Sequence, residues 1–490
     1  MSQVTTRRMP VRRPPRAMRE WAWPVAVGSF VTSVYCVYAF WQWTHLSTKS
    51  WDLAIFAQFA QRLARFEAPI TPIKGIDFNL FGDHFDPLLV VLGPAYALWP
   101  HAYTLLVVQA ACFGIGAGVI TATARRLLGP VIGVLLGVAL GFSWGLQYAA
   151  EAQFHEIALA IPLLSMALMA LIERRWAMVV VAGGLTVFVK EDMGLTIAVL
   201  GAVLAWRSRE RRHLWLTAWG AGWFLFGNLV WMPLFNSEGQ WNRSGKLDVL
   251  GTITDPEVMF DRNKVLIVIA LILIGAGIAL RSPVALLLVP TLAWRFMSTD
   301  HSYWGFEWHY NAVLMPIACA ALIDGVLLLR ASPRAWLRGY SKAAAAVAVA
   351  AAAVLMPFLP LHVLVDEWGK PARADDARLV LAAVPEGASV ETDTGLINYV
   401  VDDHTVLWLG RNNNPPPDCV LVDARFHGGT RATDVLAMAA SMHPGIRYVL
   451  VHGGDVFQLA CRDASASSSD LPAATILGGP LPPSRSWSMS

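Results

Sequence analysis

Charge is what this sequence has little of: Asp, Glu, Lys and Arg make up only 15% of its 490 residues, against about a quarter in a typical soluble domain. The shortfall excludes an ordinary set of water-soluble domains, because apolar residues reach 56% and collect in runs of about eighteen to twenty-three residues, long enough to cross a bilayer. Cysteine is sparse as well. Of the five, Cys36, Cys112 and Cys319 lie inside apolar runs, where a thiol behaves as a small hydrophobe. No zinc-type spacing is present. Only Cys419 and Cys461 could share an oxidising compartment, and sequence does not decide whether their Cα atoms lie within bridging distance. No Walker or Rossmann glycine motif occurs, so no nucleotide site is indicated. The net charge of +3 says little, and no nucleic-acid partner is expected. No internal repeat is evident, and no small-residue cleavage site follows the first apolar run, which reads as a signal anchor.

What is there is a membrane pattern. The 21 Trp residues sit largely near the ends of apolar runs, where amphipathic rings favour the interface. Arg7, Arg8, Arg12, Arg13, Arg16 and Arg19 place a basic segment, 1–21, in the cytoplasm, since positively charged short loops stay inside. A first helix over 22–43 then delivers 44–100 to the outer face. Within that segment 86–100 is short and holds Pro87 and Pro94, which suits an interfacial or re-entrant piece. Ten further helices are expected over 101–124, 129–148, 157–172, 177–189, 193–206, 213–235, 264–280, 283–297, 311–329 and 343–365. Arg125, Arg126, Arg174, Arg175, Arg207, Arg281 and Arg330 all fall at inward ends. About eleven crossings leave 366–463 outside as a small α/β domain, with short strands near 388–392, 405–409, 419–423 and 447–452 and helices near 374–384 and 432–443. The Ser- and Pro-rich stretch 464–490 reads as disordered. The expected location is a plasma membrane, crossed many times.

In this threading the ionisable residues that are not arginine anchors share the outer side: Asp52, Asp83, His84 and Asp86; Glu151, His155 and Glu156; Lys190, Glu191 and Asp192; Asp300, His301, Glu307 and His309. Charges at the ends of apolar helices are costly and point to function, although outer loops are polar in any case. Glu151 and His155, at i and i+4, are expected to share a helical face. Asp52 opens an amphipathic segment, Trp51 to Phe59. Its carboxylate serves either the helix dipole or as a general base at headgroup level. Asp83, His84 and Asp86 could hold a divalent metal, and Lys190, Arg243, Lys246 or Arg262 could meet a phosphate. The outer groups are expected to gather around one cavity.

Together Trp51-Asp52-Leu53, Gly82-Asp83-His84-Phe85-Asp86-Pro87, Leu92-Gly93-Pro94-Ala95-Tyr96, Phe154-His155-Glu156, Lys190-Glu191-Asp192 and Val384-Pro385-Glu386-Gly387 resemble bacterial membrane proteins of the domain-of-unknown-function family 2079. That family is similar to the GT-C class of integral membrane glycosyltransferases. The resemblance implies a GT-C-like helical membrane domain over 22–365, a polyprenyl-phosphate sugar lipid as donor, and a glycan or protein acceptor outside the membrane. It also implies an acidic residue in the first outer loop as catalyst. Asp52 and Asp83 match that position, although Leu53 stands where the class usually has a second acid. His84, Glu151, His155, Glu156, Lys190, Glu191, Asp192 and His309 are then candidates for substrate binding, and Asp83 with His84 for a possible divalent metal. Other classes fit the membrane pattern too: a transporter or lipid-carrier flippase, or a catalytically inactive glycan-binding protein.

Overall fold

The structure, a computed structural model, describes residues 16–236, 247–423 except 367, 370 and 372, and 434–463. The arginines at 7, 8, 12 and 13, the candidate cations Arg243 and Lys246, and the tail 464–490 lie outside the described residues.

The membrane-spanning part begins with α1 (Arg16–Thr44), followed by α2 (Asp52–Ala64), α3 (Leu92–Leu98), α4 (Tyr103–Leu128), α5 (Pro130–Gly141) and α6 (Trp144–Glu151). Then come α7 (Ala160–Ile172), α8 (Trp176–Thr186), α9 (Met193–Ser208), α10 (Leu214–Phe226), α11 (Met232–Phe235), α12 (Val249–Thr254) and α13 (Pro256–Met259). The series closes with α14 (Arg262–Ile274), α15 (Leu288–Phe296), α16 (Leu314–Arg330), α17 (Ala335–Leu355) and α18 (Val363–Asp366). Among the described residues five helical stretches are long and apolar enough to cross a membrane: Glu20–Thr44, Tyr103–Leu128, Pro130–Glu151, His309–Arg330 and Ala335–Phe358. Four more of the expected crossings, 157–172, 177–189, 193–206 and 283–297, correspond to shorter apolar helices.

Close crossings use glycine, as expected where lipid offers no hydrophobic drive between helices. A Cβ added to Gly28 of α1 would come 2.9 Å from the Gly114 carbonyl oxygen of α4, and one on Gly194 of α9 would come 2.6 Å from the Gly220 oxygen of α10. Gly129, at φ 104°, reverses the chain between α4 and α5, a conformation that side chains resist. Pro130 then starts α5 at a position that needs no N–H.

Three expected helices differ. The span 129–148 breaks at Phe142–Ser143, where Tyr35 Oη donates to the Gly141 carbonyl at 2.8 Å. The span 213–235 widens into a π turn at Gly227–Trp231. The last long helix runs over Ala335–Leu355 rather than 343–365. Arg338 and Lys342 belong to it, and Pro357 and Pro360 follow in separate 3-10 turns.

The C-terminal part holds β1 (Ser389–Thr392), β2 (Thr405–Trp408), β3 (Cys419–Asp423), β4 (Tyr448–Gly453) and β5 (Phe457–Arg462), with α19 (Arg373–Ala382), α20 (Ile397–Val400) and α21 (Val435–Met442). The sheet order is β2-β1-β3-β5-β4; β1 runs parallel to β2 and β3, and β5 runs antiparallel to β3 and β4. Strand β5 adds to those expected. Cys419 and Cys461 face each other in the β3–β5 register and form a disulfide.

The sheet docks on the first loop. Gln58 Nε2 of α2 donates to the Val406 carbonyl at 3.0 Å and Gln61 Nε2 to the Asp402 carbonyl at 3.1 Å. The Asp402 carboxylate accepts from Tyr96 Oη and the Ala102 N–H, both at 2.8 Å. Trp51 lies against Trp408, ring centres 4.2 Å apart. The disulfide closes a loop across a sequence separation of 42, so Cys461→Ser should destabilise the sheet by about 2–4 kcal/mol. Thermal unfolding under non-reducing conditions measures this; a wild-type midpoint in the variant would show that the bridge adds nothing.

Candidate functional site

Most of the polar groups expected on one side meet at one end of the helices. Asp52, first residue of α2, places Oδ2 3.3 Å from His155 Nε2. The His155 ring stacks on His309, centroids 3.7 Å apart and planes 23° apart. Gln109 Oε1 accepts from the His155 N–H at 3.3 Å, which holds the extended backbone leading into the Glu156–Leu159 turn. His309 is buried, and neither of its ring nitrogens has a hydrogen-bond partner among the described residues.

Beside it, Lys190 Nζ donates to Glu156 Oε1 at 2.5 Å, and both side chains are buried. Glu191 meets His84 Nδ1 at 3.0 Å and accepts from the Phe85 N–H at 3.2 Å. Asp86, 1% exposed, has no partner for Oδ1 among the described residues. Asp192 accepts from Trp294 Nε1 at 2.9 Å, and Asp83 pairs with Lys74.

The titrations follow from these neighbours. Burial works to raise the Asp52 pKa, but the charge and hydrogen bond of His155, a hydrogen bond from Ser50 and the charge of Lys74 outweigh it, leaving the carboxyl below its ordinary value. Asp86 goes the other way. Burial, then the carboxylates of Glu156, Glu191 and Asp83, hold it well above the usual range. Asp192 is pushed up to about 6, chiefly by burial.

Some expectations fail. Glu151 and His155 do not share a helical face, because α6 ends at Glu151 and Gln153 turns the chain at φ 69°. Glu151 instead binds Lys49 at 2.6 Å, and Lys49 reaches toward Glu307 at 3.7 Å. Arg262 is exposed at the start of α14. Asp83 is engaged by Lys74, and His84, at Nδ1, by Glu191. No group of three His, Cys, Asp or Glu converges like a metal set among the described residues. A groove lined by apolar side chains of α5, α14, α16 and α17 lies elsewhere.

Sequence reasoning missed two structural charges. Arg295 is fully buried within the 283–297 run, where it holds the carbonyls of Tyr303, Gly305 and Tyr310 and the Asn311 side chain, and so shapes the bend that carries His309. In that bend Trp308 adopts φ 68°, unfavourable for a bulky residue. Asp324 lies inside the span 309–330 and pairs with Arg207 and Ser282. An ionisable residue within an apolar run is the signal that would have found both.

The fold is that of a multi-pass α-helical membrane protein with a polar cluster at one end of its helices. Solved structures that it resembles include ArnT from Cupriavidus metallidurans bound to undecaprenyl phosphate, at 15% identity and a TM-score of 0.56, covering 92% of this chain and 99% of that one. Apo ArnT from the same organism matches at 14% identity and a TM-score of 0.50, covering 91% and 98%. The profile of the family described as predicted membrane protein (DUF2079) matches residues 42–441, and the chain belongs to that family. No curated protein matches it in sequence.

The buried Lys190–Glu156 pair yields a prediction. Lys190→Met should lower stability by about 3–5 kcal/mol, because Glu156 is left as an uncompensated buried charge. The double variant Lys190→Met with Glu156→Gln should recover most of that loss. Thermal unfolding in detergent distinguishes the two; equal losses would mean that pairing is not what the site requires.

Proposed function

We propose that the protein transfers a sugar from a polyprenyl-phosphate donor to an acceptor at the extracytoplasmic face of the membrane. The observation that carries this reading is the Asp52 carboxylate, held below its ordinary pKa and 3.3 Å from His155, at the head of a first-loop helix. The overall likeness to a structure bound to undecaprenyl phosphate supports the choice of lipid.

In the step, Asp52 takes the proton of the acceptor hydroxyl as its oxygen attacks the anomeric carbon. The bond from that carbon to the phosphate oxygen breaks, and the polyprenyl phosphate leaves with the bonding electrons. Lys74 and Lys190 supply positive charge near that oxyanion and the imidazoles of His84 and His155 supply hydrogen-bonding groups, each already oriented by a carboxylate. Asp83, bound by Lys74, then acts on donor affinity rather than as base.

The orientation is part of the same proposal. Arg125, Arg126 and Arg330 gather at the end opposite the cluster, bonded to Glu20, Glu173 and the Leu127 carbonyl, as suits a cytoplasmic surface. The Cys419–Cys461 disulfide suits an oxidising compartment for the sheet. A membrane-impermeant maleimide should therefore label a Cys placed at Glu386 but not one placed at Arg209 in intact cells; the reverse pattern would invert the whole assignment.

Asp52→Asn should keep donor binding and reduce turnover by about a hundredfold or more in purified protein. Because the Asp52 pKa lies below the ordinary 3.8, the base stays ionised at neutral pH. Its contribution to the rate should disappear only as pH falls through that lowered value. Full turnover in Asp52→Asn, with Asp83→Asn inactive yet donor-bound, would pass the base role to Asp83.

A further inference from the structure

The apolar groove is separate from the polar cluster. It is lined by Leu136, Ala139, Met315, Leu322, Ala348 and Ala352, with Cys319 at its middle and Ser143 and Trp144 at one end. A Cβ added to Gly145 would come 2.6 Å from the Asn311 carbonyl oxygen, so α6 is pressed against the His309–Asn311 turn and closes the groove off from His309.

We propose that this groove is a binding site for one acyl chain of a membrane phospholipid. Its walls belong to spans Pro130–Glu151, His309–Arg330 and Ala335–Phe358, so what enters it comes from the hydrocarbon of the bilayer. From Met315 to Leu322 along α16 the groove measures about 10 Å. That lies within one leaflet of a core about 30 Å thick, which suits a stretch of a single acyl chain and is short for a polyprenyl chain. At the end nearest the polar cluster, Ser143 Oγ and Trp144 Nε1 are buried with no hydrogen-bond partner among the described residues. An acyl lipid carries ester oxygens at the head of its chain, and one of them would accept from these donors. Bound there, the lipid braces Met315, at the start of the helix that follows His309.

The test is native mass spectrometry of the full-length protein purified in mild detergent, with extraction and identification of retained lipids. Wild type should hold one phospholipid, Ala352→Trp and Ala139→Trp should lose it, and the control Val347→Trp, on an exposed site of α17, should keep it. Ser143→Ala combined with Trp144→Phe should weaken retention without blocking the groove. Cys319 alkylation by a small permeant maleimide, read on its own peptide, should be slow in wild type and rise after delipidation. Retention unchanged in both groove-filling variants, or a wild type holding no phospholipid after incubation with phosphatidylethanolamine–phosphatidylglycerol vesicles, would overturn the proposal. So would a polyprenyl phosphate as the lipid displaced by Ala352→Trp. Sugar transfer by the filled variants separates this outcome from the catalytic reading, which depends on Asp52 and not on the groove.

Discussion

The structure depends on the cost of holding charge beside a bilayer. An ammonium or carboxylate taken from water into a low-dielectric setting is tolerated only with a partner, and Lys190 and Glu156 meet that demand with each other at 2.5 Å. The short connection between α8 and α9 can carry Lys190, Glu191 and Asp192 only because each finds a partner from another segment: Glu156, His84 and Trp294. These bonds draw the first loop, the Phe154–Glu156 turn and the α8–α9 connection to one place.

The C-terminal sheet belongs to the same construction. It clamps α2 through Gln58 and Gln61 and uses the Asp402 carboxylate to cap the start of α4 through the Ala102 N–H. Arg373 ties Asp423 at the end of β3 to the carbonyls of His45 and Leu46, just past α1. The helix that begins with Asp52 is therefore braced from the membrane side by Phe154 and His155 and from the other by the sheet. Such bracing holds a reactive carboxylate in place before a substrate arrives, which is how electrostatic preorganisation is built.

Much of this was legible in the sequence because the signals were local. Apolar run length located four of the five long spans, Pro87 and Pro94 marked the short segment at 86–100, and strand-forming runs located four of the five strands, Cys419–Asp423 to the residue. Local signals fail where a distant group decides. The break after Gly141 meets Tyr35, 106 residues away, which donates to the Gly141 carbonyl. Glu151 and His155 part company because of the turn at Gln153, whose side chain is held by Asn398 of α20, 245 residues on.

The sequence by itself determined that the chain is a membrane protein, roughly where its spans lie, and which acids, lysines and histidines need explaining, since composition and spacing are properties of the chain alone. Partnership was decided only by tertiary structure. Asp52 sits between Trp51 and Leu53 in sequence, yet the distant His155 and Lys74 help lower its pKa; Asp86 stands among like-looking residues, yet burial beside other carboxylates raises it. Electrostatic energy depends on distance and dielectric rather than on sequence separation, so identical side chains acquire opposite characters once the fold sets both.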